Sequence, residues 1–199
     1  MATSPDLALR TRTGEILMSA PCQRIDFHWA HYHIDGSGFS FVALATLSRG
    51  SKGVHFKIEH QPTGVGARYF PSTNMFSVPT ANFGVSDAWQ KMALVHECTH
   101  ALIDATHAKQ HTRSIHDELA AYVASALFNI YSAPSQSGPF PYTPVGIFAA
   151  AHQVALNIAN ATGYAISPTI AAPLRQAILQ KNVLYPHPNS SYDNNGIRL

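Results

Sequence analysis

The stretch from Asp87 to Ala108 contains neither glycine nor proline, and it constrains the fold of this chain more than any other feature. Ser86-Asp87 supplies an N-cap pair in front of it. Trp89, Met92, Val95 and Leu102 then recur along one side, so the spacing predicts a helix from Ala88 to about Ala105. A second helix follows. Ser114 with Asp117 three residues later is a capping-box-like start, and the apolar pattern runs to about Tyr131. Ser132 to Pro141 is a Ser/Gly/Pro loop. Pro144 suits the first turn of a third helix ending near Gly163, and Ser167-Pro168 opens a fourth that reaches about Asn182.

The first half reads differently. Arg24 to Ile34 alternates, with Ile25, Phe27 and Trp29 set against Asp26, His28 and Ala30, the pattern of a half-buried strand. Asp35 to Gly38 is a turn. Phe39 to Leu47 fits either a strand or a short buried helix closed by Gly50, with the helix favoured. Val54 to His60 alternates again. Ala67 to Val78 reads as a hairpin turning at Pro71 to Asn74 and ended by Pro79. Strands first and helices later define an α+β chain, an antiparallel or mixed sheet followed by a helical half. The expected organisation is a loose arm over residues 1–22, with a short strand at Glu15 to Ser19, one domain over 23–184, and an irregular tail over 185–199. The 199 residues are 46% hydrophobic, enough for a core and too apolar for a disordered chain.

The chemistry sits on the first helix, in His96-Glu97-Cys98-Thr99-His100. This chain's own His and Glu frequencies give roughly 0.01–0.02 chance matches to H-E-x-x-H, so the pattern carries weight. Positions i and i+4 share a helix face, so His96 and His100 can aim both imidazoles at one point, as a zinc ion requires. Glu97, about 100° further round, can reach water at the ion without ligating. A metzincin would need Gly at 103 and His at 106; the chain has Ile103 and Thr106. Glu118, on the second helix, is the favoured third ligand. His116 and Asp104 are its rivals, and the Gly-Thr-x-Asp pattern that would support Asp104 is absent. Two His and one carboxylate leave a fourth position open to water. Tyr122, four residues beyond Glu118, is the first candidate for an oxyanion donor, and His152 the second. Cys98 points away from the His face and reads as a buried thiol. His31 and His33 share one face of their strand, read as surface, and His107, His111 and His116 as a solvated turn.

HECTHALID followed by DELAAY resembles the active-site core of the gluzincin zinc metallopeptidases over about residues 70–130, in a minimal zincin-like form. The resemblance implies a zincin-like fold, with His96, His100 and Glu118 as ligands of one zinc ion and Glu97 as general base for peptide hydrolysis. It also implies that Asp117 orients a His ligand and that the strand Asn74 to Val78 is the substrate-binding edge strand. In style the chain is similar to small zincin domains used as bacterial effector toxins; such an effector would have a narrow target and an inhibitor or immunity protein. A catalytically silent zincin-fold interaction module is the alternative.

Composition limits the partners. Formal net charge is +2, charged residues make up 12%, and no basic run suits nucleic acid; a peptide or protein substrate is what the gluzincin resemblance implies. Two cysteines, Cys22 and Cys98, are too few for a disulfide framework. No apolar run is long enough for a membrane span. The first residues lack a signal-peptide core, so the expected location is cytoplasmic, or outside by a route that reads no signal peptide.

Overall fold

The computed structural model describes residues 5–48, 53–62, 65–132, 146–180 and 191–197. Its centre is a pair of long helices, α4 (Ala88–Thr106) and α5 (Ser114–Ser132), which pack against each other. Asp87 caps α4 by accepting from the amides of Trp89 at 2.7 Å and Gln90 at 3.4 Å, which satisfies donors that a helix start leaves open. α5 is buried nearly all round, through Leu119, Val123 and Leu127 and the small residues Ala120, Ala121 and Ala124. A helix apolar on every side belongs at the centre of a fold. Around it lie α2 (Ala20–Gln23), α6 (Ile147–Ile158) and α7 (Pro168–Gln180).

The strands form three small sheets. β1 (Asp26–Trp29) and β2 (Tyr32–Asp35) pair antiparallel, and β7 (Tyr164–Ala165) adds to β1 in parallel. What the alternation suggests is one strand over Arg24 to Ile34 is therefore a hairpin, turning at Ala30 with φ 54°. Asp35 then caps α3 (Gly36–Leu47), its carboxylate 2.7 Å from the Gly38 amide, so the expected turn is the first turn of a helix. In the second sheet β5 (Met75–Val78) lies between β3 (His55–Ile58), parallel, and β4 (Arg68–Phe70), antiparallel. The edge strand beside α4 is thus β4, and β5, expected at the edge, is the middle strand. The third sheet pairs β6 (His111–Arg113) with β8 (Ser191–Asp193). The architecture is mixed α+β.

Both termini depart from expectation. The segment read as a loose arm with a strand at 15–19 is helix α1 (Pro5–Leu17), which packs on α3 with Leu9, Thr13 and Leu17 fully buried. Its arginines serve the interior. Arg10 donates to the carbonyls of Thr46, Ser48 and Val54, closing the C-terminus of α3, where a cation also suits the helix dipole. Arg12 donates to the carbonyls of Ala81 and Phe83. The end of the chain, read as irregular, contributes β8 and then buries Asn194 and Ile197. The expected loop at 133–141, the residues at 144–145 and 181–182, and tail residues 185–190 and 198–199 lie outside the described residues.

Candidate metal centre

α4 ends at Thr106, and the chain reverses through residues 107–110, with Lys109 in the left-handed region at φ 65°. The short strand β6 leads directly into α5. This tight return brings the first turn of α5 against the middle of α4. Two hydroxyls fix that turn: Thr112 donates to Asp117 Oδ2 at 2.7 Å, and Tyr32 donates to Asp117 Oδ1. Asp117 therefore holds the helix start; both its oxygens are taken by hydroxyls, in place of the expected orientation of a His ligand.

The next residue, Glu118, is delivered to the two histidines. His96 Nε2 lies 3.3 Å from His100 Nε2. Glu118 Oε2 is 3.3 Å from His96 Nε2, and Glu118 Oε1 is 3.6 Å from His100 Nε2. A tetrahedral ion bonded at about 2.0–2.1 Å separates its ligand atoms by about 3.3–3.4 Å. The two imidazole nitrogens, and each of them with one Glu118 oxygen, already stand near that spacing. Among the described residues this is the one group of His, Cys, Asp and Glu side chains that converges so as to be able to hold a metal ion. The histidines are half-buried and Glu118 is 7% exposed. Two imidazoles and a carboxylate form a borderline donor set suited to zinc and its neighbours.

The local electrostatics follow from burial and mutual charge. Burial alone would lower the His96 imidazole, but the hydrogen bond and charge of Glu118, with the charge of Glu97, raise it. Burial pushes His100 down to about 4, with Glu118 opposing and His96 adding. His100 is thus held neutral, the form that ligates. Glu97 is pushed up to about 7, first by burial and then by Glu118, while His96, the Tyr69 amide and Arg68 pull it back. A carboxyl poised near neutrality suits a general base.

Glu97 is also held in place. The Tyr69 amide, on the edge strand β4, donates to Glu97 Oε2 at 2.7 Å. The Tyr69 hydroxyl donates to Asp104 Oδ2 at 2.7 Å, and the Gly196 amide donates to Asp104 Oδ1 at 3.0 Å. Asp104, a rival third ligand, is fully buried in these bonds. His116, the other rival, sits edge-on to Trp29 with ring centroids 5.7 Å apart.

Tyr122 lies at the site, its ring 4.5 Å from that of His96 and 5.2 Å from that of Phe148. His152 is buried on α6, outside the converging group. Cys98 is fully buried and Cys22 is too, both as free thiols. The strand histidines are divided by the hairpin: His28 stacks on His33 across it, while His31 packs against His107. His31 and His33 are both exposed, on either side of the buried Tyr32, and His107 is half-buried beside His31. An open polar cleft of about 550 Å³ lies elsewhere, lined by Arg24, Asp26, His33, Asp35 and Tyr131; it includes none of the converging residues.

Tyr69 and Tyr32 were not legible as parts of this site. Alternation places Tyr69 on the inner face of β4, but nothing local says that its two ends reach Glu97 and Asp104.

No protein-family model, curated protein or solved structure matches the chain. Among the described residues no helix is long and apolar enough to cross a membrane.

Proposed function

We propose that this chain is a zinc metallopeptidase of zincin-like, gluzincin type, in which His96, His100 and Glu118 hold one zinc ion and Glu97 is the general base. The observation that carries the reading is the convergence of three side chains from two helices, with the two imidazole nitrogens 3.3 Å apart and the two Glu118 oxygens 3.3 and 3.6 Å from them. A bound zinc ion would polarise a peptide carbonyl and acidify water. The protein's part is positional. Glu97, steadied by the Tyr69 amide, takes a proton from the attacking water and returns it to the leaving amine. Tyr122, packed on His96, is the proposed donor to the developing oxyanion. The half-buried histidines and buried Glu118 limit competing water, which strengthens each charge interaction.

A silent metal-binding module is the second reading. One observation favours it: the Tyr69 amide, which an edge strand would offer to an extended peptide, is occupied by Glu97.

The test is Glu97→Gln. The peptidase reading expects this variant to keep its zinc and to hydrolyse a pool of quenched fluorescent peptides about 10²–10⁴-fold more slowly than the parent. An unchanged rate rejects Glu97 as base. One zinc per chain with no hydrolysis by the parent supports the silent module.

A further inference from the structure

We propose that Tyr69, Asp104 and the C-terminal residues 194–197 form one positioning unit for Glu97, so that the end of the chain sets the direction of that carboxylate. Glu97 and Asp104 are seven residues apart on α4, about two turns or ~10 Å along one face. Tyr69 spans this interval. Its amide meets Glu97 at 2.7 Å and its hydroxyl meets Asp104 at 2.7 Å. Ala101, which lies between them on that face, is fully buried and too small to intrude. Tyr69 itself is 8% exposed and packs on Phe76, with ring centroids 5.0 Å apart. A single residue thus bonds one helix at both ends, and a shift of its ring moves its amide.

What holds the ring is Asp104, and what holds Asp104 is the chain's end. A carboxylate with no exposure is costly unless its oxygens are satisfied. Here the amides of Gly196 and Asn195 and the Tyr69 hydroxyl supply those bonds. The C-terminal segment is clamped in turn. Lys109 donates its amide to the Asn194 carbonyl at 2.7 Å, and Asn194 Nδ2 donates to the Gln110 carbonyl and to Thr112 Oγ1, each at 3.2 Å. On the other side Asn74 Nδ2 donates to the Gly196 carbonyl at 3.3 Å. Residues 194–197 therefore tie the turn after α4 to the turn between β4 and β5, and β4 cannot slide along α4 while they are seated. Gly196 is required where it stands: φ is +80°, and a Cβ there would come 2.7 Å from the Cβ of Ala108.

The catalytic consequence rests on Glu97 being the base; the bonds themselves belong to the metal-free protein and are tested there. The experiment is residue-resolved amide exchange on metal-free full-length protein, parent against Tyr69→Phe and Gly196→Ala, with zinc stoichiometry measured alongside. In both variants the residue 69 amide exchanges about tenfold faster, the amides of 94–102 in α4 keep their rates, and one zinc per chain still binds. With the peptide pool, kcat falls while KM holds. An unmoved residue 69 amide in Tyr69→Phe overturns the unit, as does equal acceleration throughout α4, which marks a purely structural contact. Acceleration in Tyr69→Phe but not in Gly196→Ala removes the C-terminal segment from it. The expected exchange pattern with no hydrolysis by the parent leaves the unit standing and rejects the peptidase reading instead.

Discussion

Both carboxylates at this site are steadied by a buried Tyr–Asp pair, but in different ways. On the α5 side, Tyr32 and Thr112 hold Asp117, and Glu118 follows because it is the next residue of the same helix. On the α4 side, Tyr69 joins Asp104 to Glu97 through its own backbone amide, and Asp104 depends on Gly196, 92 residues further along the chain. The first arrangement fixes a helix turn. The second fixes the direction of one carboxylate. A metal ligand, the role proposed for Glu118, needs the former, since a bound ion would complete its orientation. A general base, the role proposed for Glu97, needs the latter, because it must be aimed before a substrate arrives.

Breaking the α5 side is expected to have the larger effect. Asp117→Ala leaves the buried Tyr32 and Thr112 hydroxyls without their acceptor and frees the first turn of α5. It should cost about 2–3 kcal/mol of stability and weaken zinc binding about 10–100-fold, as measured by chemical denaturation and by zinc competition with a chelating dye. Gly196→Ala acts first on Asp104, on the α4 side, and reaches the α5 side only indirectly, through the bond from Asn194 to Thr112. Its strained φ and the contact with Ala108 should cost about 1–2 kcal/mol in the same denaturation experiment, with zinc affinity within about twofold of the parent. If Gly196→Ala weakened zinc as much as Asp117→Ala, the two sides would be a single unit and the distinction would fall.

The smallest effect concerns pH. Ligands must be deprotonated to bind, so protons displace the metal as pH falls. His100, held at about 4 by burial, should contribute little to that competition above about pH 5, whereas His96, raised by Glu118, should carry most of it. The fall in zinc affinity, measured from pH 8 to pH 5, should therefore steepen as pH drops through the raised His96 range, to a limiting slope of about one decade per pH unit above about pH 5, the slope of a single competing proton. A slope near two would mean that both imidazoles compete.

How much of this was legible in the sequence depends on the range of the contacts. The pairing of His96 with His100 is a property of one helix, and the rarity of Glu made Glu118 stand out. The first needed only the 3.6-residue period, whereas the second depended on how α5 returns against α4, which left His116 and Asp104 open as rivals. The hairpin at Ala30 was hidden because alternation continues across a two-residue turn. The arm was misread because Arg10 and Arg12 look solvent-bound in sequence, and only the fold supplies the carbonyls they serve. The tail was misread for the same reason, since the partner of Gly196 is a carboxylate on α4. The resemblance implies an edge position for β5, but strand order follows pairing, and β4 folds back to the outside.

The account turns on three side chains holding one ion, and X-ray absorption of the zinc-loaded protein tests that most directly. It predicts two imidazole nitrogens at about 2.0–2.1 Å, the remaining ligands oxygen, and no sulfur. Glu118→Ala should lose or weaken the metal. A sulfur shell at about 2.3 Å would bring Cys98 into the site and contradict the geometry. Failure to bind zinc at all would reduce the convergence of His96, His100 and Glu118 to a packing arrangement.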